Sequence, residues 1–221
     1  MRTVVVASQK GGTGKTTVCS NLAVAAAAGR VDRVAVVDAD DQRSLTDWIR
    51  DRERNSASLK GSVRQLPLLA FEDFHAGHAL AHGKGIEWLF IDTEPSTKST
   101  AQAFIELADI VVVPVRPSLP DARSAGATFD LCTRFDKRVL AVLTMAKPRT
   151  VALREFAKRL RTRVACADSV LYDRQAYPLA FALGMSVAET DPHDTGTHVR
   201  ALMTEIENVL TTAPPSMRRA G

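Results

Sequence analysis

The segment that most constrains the fold is a glycine-rich loop near the amino terminus, which reads QKGGTGKTT from Gln9 to Thr17. A run rich in β-branched residues, Thr3–Ser8, precedes the loop, and a run with helical period, Lys15–Ala28, follows it. A strand, a glycine-rich loop and a helix in this order form a unit that binds phosphate through backbone N–H groups. Units of this kind occur in parallel sheets, where ligands bind at the carboxyl ends of the strands and helices cover both faces. The loop therefore predicts a parallel sheet covered by helices.

The rest of the chain repeats this alternation of short β-branched runs and longer helical runs. It predicts an α/β fold, a single-domain P-loop NTPase with a mostly parallel twisted β-sheet flanked by helices on both faces. The predicted strands are Thr3–Ser8, Arg33–Asp38, Val63–Leu66, Trp88–Asp92, Ile110–Val115, Val139–Thr144 and Val164–Val170. The predicted helices are Lys15–Ala28, Ser44–Asn55, Phe71–His82, Thr97–Leu107, Asp121–Phe135, Val151–Arg161, Arg174–Leu183 and Thr195–Thr212. We expect residues 1–213 to form one domain, and residues 214–221, which begin with two prolines, to form a short flexible tail.

Composition excludes several other classes of protein. The 221 residues are 45% hydrophobic and 24% charged, a balance typical of a soluble globular chain. The apolar runs are shorter than the roughly 20 residues of a membrane-spanning helix, and the amino terminus lacks the long apolar region of a signal peptide. Cys19, Cys132 and Cys166 have no metal-ligand spacing, so we interpret them as core residues. We therefore expect a cytoplasmic protein.

The loop residues have the chemistry that a nucleoside triphosphate with Mg²⁺ requires. Glycines allow the backbone to curl so that successive N–H groups point inward. The residues expected to form this backbone cradle are Gly11, Gly12, Thr13 and Gly14. We expect Lys15 to neutralise the β- and γ-phosphates, Thr16 to place its hydroxyl on Mg²⁺, and Thr17 to reach the α-phosphate. The flanking strand and helix disfavour the alternative of a plain glycine turn with a solvent-exposed lysine.

The loop departs from the common GxxxxGK[ST] pattern. Gln9 stands where the first glycine is usual, and Lys10 precedes the double glycine. In this form, KGGTGKTT, the chain resembles the ParA/MinD family of dimeric ATPases with a deviant Walker A motif. The resemblance implies an ATP-dependent homodimer in which Lys10 is a catalytic lysine that reaches the nucleotide of the partner subunit. A second cation beside the γ-phosphate stabilises the charge that develops during phosphoryl transfer.

Carboxylates for the metal ion and the attacking water are expected where two strands end. The second predicted strand runs into VVDADDQRSLTDW, which resembles the family's segment after that strand. By this resemblance, Asp40 is the catalytic carboxylate that positions the attacking water, and Asp38 lies near the metal. A later strand ends in EWLFIDTEPS, the Walker B form, so we expect Asp92 to hold Mg²⁺ through a water molecule. Asp41 and Glu94 depart from the family's pattern, and their roles stay open.

Two later segments narrow the resemblance to the small ParA (ParF-like) plasmid-partition subgroup. They read VVVPVRPSLPDARSAG from Val111 and LYDRQAYPLAFALGMSVAE from Leu171. The resemblance places Pro117, Ser118 and Asp121 at the nucleotide and dimer surface, although the prolines also fit an ordinary loop after a strand. The segment MAKPRT falls where the family has its adenine-contacting loop, and ATP as the nucleotide is implied by the resemblance alone.

A basic segment is the expected contact to DNA. Between Arg149 and Arg163, six basic residues stand against one acidic residue, an excess larger than the net +4 of the whole chain. In the predicted helix, apolar residues share one face and Arg154, Lys158 and Arg161 share another. Such a stripe suits a phosphate backbone, whereas an arginine-rich face in contact with solvent is the alternative. Weaker candidates are Arg174, Arg200, Arg218 and Arg219.

The resemblance implies a weakly active DNA-partition ATPase associated with the nucleoid. ATP would drive dimerisation and binding to non-specific DNA, and a centromere-binding ParB-like adaptor protein would stimulate hydrolysis and release. Positioning of a protein cargo or assistance to conjugative DNA transfer remain as alternatives. A MinD-type membrane regulator is disfavoured because the last predicted helix contains Glu205 and Glu207 and lacks an aromatic anchor. Related iron–sulfur reductases are disfavoured because TEPSTKSTAQAF, which follows the Walker B strand, contains no cysteine.

Overall fold

The β-branched runs build one sheet. The computed structural model describes residues 1–29, 32–55, 63–67, 73–95 and 99–212. Its strands are β1 (Arg2–Val6), β2 (Val34–Ala39), β3 (Arg64–Gln65), β4 (Trp88–Thr93), β5 (Ile110–Val115), β6 (Arg138–Ala146) and β7 (Cys166–Tyr172). These seven strands pair in the order β3-β2-β4-β1-β5-β6-β7, and all neighbours run parallel.

The helices alternate with the strands along most of the described chain. They are α1 (Lys15–Ala27), α2 (Ser44–Asn55), α3 (Phe74–Gly83), α4 (Ser99–Leu107), α5 (Leu119–Arg134), α6 (Val151–Arg161), α7 (Ala176–Ala182), α8 (Val187–Thr190) and α9 (Thr195–Thr211). The predicted single-domain α/β fold is therefore confirmed.

Most predicted bounds lie close to the observed ones, and two differences have a local cause. Helix α5 begins before Asp121, because the Ser118 hydroxyl accepts a hydrogen bond from the Asp121 amide and caps the helix. Helix α8, which was not predicted from the sequence, is a single turn defined by reciprocal hydrogen bonds of Ser186 and Glu189. The predicted starts of two helices, at residues 71 and 97, and the predicted tail 214–221 lie outside the described residues.

Alternate strand residues face opposite sides of the sheet and build two hydrophobic cores. In β1, for example, Val4 and Val6 belong to one core and Val5 belongs to the other, and all three side chains are fully buried. Helices α1, α2 and α7–α9 cover the first core, and α3–α6 cover the second. Burial on both faces explains why the central strands read as nearly continuous apolar runs.

Helix α1 lies inside the first core and is buried on nearly all sides. Its Asn21 side chain accepts hydrogen bonds from the Ser186 hydroxyl at 2.7 Å and the Val187 amide at 3.0 Å. The same side chain donates to the Thr17 carbonyl at 2.8 Å. Because these groups are shielded from water, they fix the start of α8 against the helix that follows the glycine-rich loop.

A second buried contact joins α2 to the same part of the chain. The Arg52 guanidinium, only 2% exposed, donates to the Glu189 carboxylate at 2.7 and 3.0 Å and to the Gly184 carbonyl at 3.0 Å. It also lies 5.4 Å from the centre of the Trp48 ring. A β-carbon at Gly184 would come within 2.1 Å of the Arg52 backbone nitrogen, so this close approach requires glycine.

Strand β7 forms one edge of the sheet. The Glu205 carboxylate of α9 accepts hydrogen bonds from the backbone amides of Asp168 and Ser169, at 2.7 and 2.8 Å. The pairing of β6 with β7 is also irregular and shifts register twice. Helix α9 therefore occupies hydrogen-bonding groups of the edge strand.

Two predictions drawn from composition can be compared with the structure. No helix in the described ranges is both long enough and apolar enough to cross a membrane. Cys19 and Cys132 are buried in the cores, as predicted, whereas Cys166 is half-buried at the start of β7.

We expect Glu189→Ala to lower the free energy of unfolding by about 3 kcal/mol, because the Arg52 guanidinium stays buried with fewer acceptors. Urea unfolding of the nucleotide-free protein, followed by circular dichroism, measures this change. The control is Glu53→Ala, an exposed residue of α2, which should change stability by less than about 0.5 kcal/mol. Equal stabilities of the two variants would contradict a structural role for the Arg52–Glu189 pair.

Candidate nucleotide-binding site

The glycine-rich loop connects the carboxyl end of β1 to the first turn of α1. Gly12 and Gly14 have φ angles of 71° and 89°, which residues with a β-carbon rarely adopt. Gly14, at the N-cap position of α1, has no side chain to cap the helix, and the first turn of α1 contains no acidic residue. The uncapped N–H groups and the positive end of the helix dipole therefore face the loop, an arrangement that binds phosphate.

The middle of the loop is anchored to the sheet. The Thr144 hydroxyl, near the end of β6, donates a hydrogen bond to the Thr13 carbonyl at 2.9 Å, and both residues are buried. This contact ties the loop to a strand two positions away in the sheet order. This hydrogen bond therefore helps to hold the curl of the backbone in place.

Lys15 lies at the start of α1 and is only 6% exposed. Burial lowers the pKa of its ammonium, while the carboxylates of Asp92 and Asp40 raise it. A cation in a partly desolvated site stabilises phosphate charge more strongly than a cation in water. Its position therefore fits the predicted contact with the β- and γ-phosphates.

Asp92 and Asp38 are adjacent because β4 and β2 pair with these two residues in register. Asp92 is fully buried, and in the described ranges no donor meets its carboxylate oxygens at full hydrogen-bond geometry, although the Thr16 hydroxyl lies close by. Burial raises the pKa of Asp92 to about 7, whereas the nearby Thr16 hydroxyl and Lys15 ammonium lower it. Buried polar groups without donors are rare, so the Asp92 carboxylate fits a site for a cation. Asp92 and Thr16 would hold Mg²⁺ there, and the ion would neutralise phosphate oxygens.

Asp38 shapes the turn that leads into α2. One of its carboxylate oxygens accepts hydrogen bonds from the Thr46 amide and hydroxyl, both at 2.8 Å, and the other accepts from the Asp40 amide at 3.2 Å. Both oxygens thus have partners within the chain, and a role of Asp38 towards the metal stays a prediction. Asp40 is half-buried in the same turn and interacts electrostatically with Lys15, and its role towards the attacking water stays a prediction.

Lys10 reaches from the loop to the start of α5. Its ammonium lies 2.8 Å from the carboxylate of Asp121, which also accepts hydrogen bonds from Arg116 and Ser118. The structure thus brings Asp121 next to Lys10, the predicted trans lysine. Contact of Asp121 with the nucleotide stays a prediction. Pro117 lies half-buried in the same connection and does not line the cavity beside the loop.

That cavity has a volume of about 530 Å³. Thr16 and Thr17 line its side towards the loop, and residues after β6 and β7 line the rest. Its apolar lining includes Met145, which begins the segment that resembles the family's adenine-contacting loop. Other lining residues, not indicated as site residues by the sequence, are Leu171, Tyr177, Pro178, Phe181 and Ala182. A mostly apolar cavity of this size next to a phosphate loop fits a nucleoside. The sequence does contain one indication of this cavity, because its lining residues follow the carboxyl ends of two parallel strands, where ligands usually bind.

Helix α6 presents part of the basic stripe to solvent. Its buried apolar residues are Leu153, Ala157 and Leu160. Arg154 and Lys158 are exposed on the opposite side. Arg161 differs, because its guanidinium lies 2.8 Å from the Asp168 carboxylate and is partly neutralised there. Of the weaker DNA candidates, Arg174 lines the cavity, and residues 218 and 219 lie outside the described ranges.

The phosphate loop, the paired aspartates and the parallel sheet agree with a comparison to known protein families. The CobQ/CobB/MinD/ParA nucleotide binding domain matches residues 4–187. The chain belongs to this family. Members of the ParA/MinD type are P-loop ATPases, so the general activity is binding and hydrolysis of a nucleoside triphosphate.

Individual relatives lie within the same family. Maintenance of carboxysome distribution protein A of Gloeobacter kilaueensis is 33% identical over 196 residues, which cover 85% of this chain and 84% of the relative. Protein ParA of Rhizobium radiobacter is 27% identical over 83% of this chain and 84% of its own length. Among solved structures, the MinD cell division protein of Aquifex aeolicus superposes with a TM-score of 0.78, covering 97% of this chain and 99% of that one at 18% identity. This last similarity concerns the fold.

For this ParA/MinD-type protein, we expect Lys15→Ala to weaken ATP binding by about a hundredfold or more, because a charged hydrogen-bond donor inside the loop is lost. Titration with a fluorescent ATP analogue measures the dissociation constant. Lys84→Ala, at an exposed lysine after α3, is the control and should bind as the wild type does. An affinity of Lys15→Ala near that of the wild type would remove the assignment of the phosphate loop.

Proposed function

We propose that the protein is a weakly active ATPase that positions a cargo by switching between a monomer and an ATP-bound dimer on DNA. The observation that carries this proposal is the contrast between its two loop lysines. Lys15 is buried inside the loop, whereas Lys10 points out of it and keeps 35% of its side chain exposed. A lysine in the latter position is accessible to a nucleotide that a second subunit presents.

The residues divide the hydrolysis reaction between two subunits. Lys15 and the loop amides hold the β- and γ-phosphates, while Asp40 orients the attacking water. Lys10 of one subunit approaches the nucleotide of the other and stabilises the charge that develops on the γ-phosphate. Hydrolysis is slow in the monomer because this cation is missing from the site, and it proceeds after dimerisation.

Exposed apolar side chains support a dimer face around the loop. Leu119, Met145 and Val151 are 62%, 44% and 65% exposed. They lie at the start of α5, near the end of β6 and at the start of α6, all at the carboxyl edge of the sheet. Large apolar side chains near one face are typical of surfaces that a partner covers. A second copy of this chain, packed face to face with the first, covers them together with the nucleotide.

The exposed Arg154 and Lys158 of α6 supply the contact to DNA. Their charges neutralise phosphates without reading sequence, which predicts non-specific binding that weakens as salt increases. The ATP-dependent dimer doubles the number of such contacts, so DNA binding depends on the nucleotide. A centromere-binding ParB-like adaptor protein would then stimulate hydrolysis and release the dimer from DNA.

The identity of the cargo defines two versions of this function. Segregation of a plasmid or another DNA molecule is supported by the relative named Protein ParA. Positioning of a protein cargo is supported by the relative named Maintenance of carboxysome distribution protein A, which has the higher identity of the two. Both versions use the same ATP-dependent dimer and the same nucleoid surface. They differ only in the adaptor that links the dimer to its cargo.

We expect Lys10→Ala to bind ATP as the wild type does but to lose most of its hydrolysis, about a hundredfold or more, because the trans cation is missing. Phosphate release measured over a range of protein concentrations tests this expectation. In the wild type, turnover per subunit should rise with concentration, and Lys84→Ala should behave in the same way. Turnover of Lys10→Ala at the wild-type rate would remove the trans role.

We expect the protein to co-sediment with random-sequence duplex DNA only in the presence of ATP. Charge reversal of Arg154 and Lys158 removes about two phosphate contacts per subunit and should reduce the salt dependence accordingly. Lys84→Glu, at the exposed lysine after α3, is the charge control, because it lies outside the basic stripe of α6. Binding to anionic liposomes is measured in parallel. Binding to liposomes but not to DNA, or binding to neither of them, would contradict the nucleoid function.

A further inference from the structure

Lys10 is held by its own subunit, although the proposed reaction uses it in the partner subunit's site. Its ammonium lies 2.8 Å from the Oδ2 atom of Asp121. The Asp121 side chain is 3% exposed, whereas that of Lys10 is 35% exposed. The pair therefore joins a buried carboxylate at the start of α5 to an ammonium that solvent can reach.

Asp121 keeps other donors when the lysine leaves. Arg116 donates to its Oδ1 atom at 3.0 Å, and the Ser118 hydroxyl is hydrogen-bonded to its Oδ2 atom. Burial raises the pKa of Asp121, but hydrogen bonds from Lys10, Ser118 and Arg116 outweigh burial and hold the pKa below its usual value. A buried carboxylate that lost all of its donors would strongly destabilise the fold. Since Arg116 and Ser118 remain as donors, the release of Lys10 destabilises the fold much less than the loss of all three donors would.

The backbone of Lys10 does not have to move for this release. Its amide donates to the Ser8 hydroxyl at 3.4 Å, and its carbonyl accepts from the Thr13 hydroxyl at 3.5 Å. Both contacts belong to the loop itself. Rotation about the side-chain bonds is sufficient to separate the ammonium from Asp121, and such rotations are fast compared with the association of two proteins.

We propose that Asp121 is a positioning residue that holds Lys10 on its own subunit until an ATP-bound partner subunit arrives. The inference rests on the trans role of Lys10 in the proposed function. In the monomer, the ion pair keeps the ammonium at the start of α5. In the dimer, the ammonium exchanges the Asp121 carboxylate for the phosphates of the partner's nucleotide. Competition between these two anions sets the rates of dimerisation and hydrolysis in the absence of an adaptor protein.

Two substitutions change this competition in opposite directions. Asp121→Asn keeps the size of the side chain and removes the charge that retains Lys10. Arg116→Gln removes a competing donor, so Asp121 depends more on Lys10 and retains it more strongly. Because the ion pair is partly exposed, we expect changes of about threefold to fivefold in each direction. A residue that only stabilised α5 would instead cause losses in both variants.

The experiment uses the full chain without adaptor or DNA and makes three measurements. Sedimentation velocity with ATP gives the dimer fraction, phosphate release gives the turnover, and mass spectrometry after amine labelling of the nucleotide-free protein gives the reactivity of Lys10. Asp121→Asn should raise all three by about threefold to fivefold, and Arg116→Gln should lower them by similar factors. The double variant Lys10→Ala/Asp121→Asn should match Lys10→Ala in turnover.

The outcomes separate this inference from the function on which it rests. If Lys10→Ala alone retains wild-type turnover, the trans role fails and the inference fails with it. If Lys10→Ala is inactive while Asp121→Asn leaves dimerisation and turnover unchanged or lowers them, only the positioning role is overturned. Thermal unfolding identifies a variant that does not fold. If Asp121→Asn does not fold, the test rests on Arg116→Gln. Unchanged or increased Lys10 labelling and turnover in Arg116→Gln would then overturn the inference.

Discussion

The parallel pairing of β1 with β4 and β5 is the constraint on which the rest of the site depends. Because all strands run in one direction, their carboxyl ends meet at a single edge of the sheet. The loop leaves β1 there, the register of β2 and β4 brings Asp38 next to Asp92, and β5 leads into the turn that carries Asp121. Residues from four separate parts of the chain therefore form one site, and a register shift in any of these strands would separate them.

The site contains charge that the protein alone does not fully compensate. Lys15 is buried, and the buried Asp92 carboxylate has no donor at full hydrogen-bond geometry among the residues that the structure describes. Both groups are therefore less favourable in the free protein than in contact with a metal–nucleotide complex. The last third of the chain supports this arrangement, since Asn21 and Arg52 attach it to α1 and α2. Binding of a nucleotide with its metal ion thus offsets part of the cost of burying these groups.

The sequence predicts the architecture and the loop well, because strong local patterns specify both. Strand β5 and helices α2 and α6 have the predicted bounds, and Gly12 and Gly14 have the backbone conformations that glycine allows. Contacts between distant residues were not predictable in this way. The Lys10–Asp121 pair spans 111 residues, and the Arg161–Asp168 pair depends on where β7 lies relative to α6. Tyr177 and Phe181 lack any local signal as cavity residues, since only the way α7 packs after β7 places them across from the loop.

The contact between Glu205 and the edge strand has a consequence for assembly. An edge strand with unpaired backbone groups can add a strand from another molecule and start open-ended aggregation. Here, the Asp168 and Ser169 amides are already bonded to a side chain, and the irregular pairing of β6 with β7 twists this edge away from a regular ladder. At high protein concentration, extension of the sheet from this edge into a neighbouring molecule is therefore disfavoured.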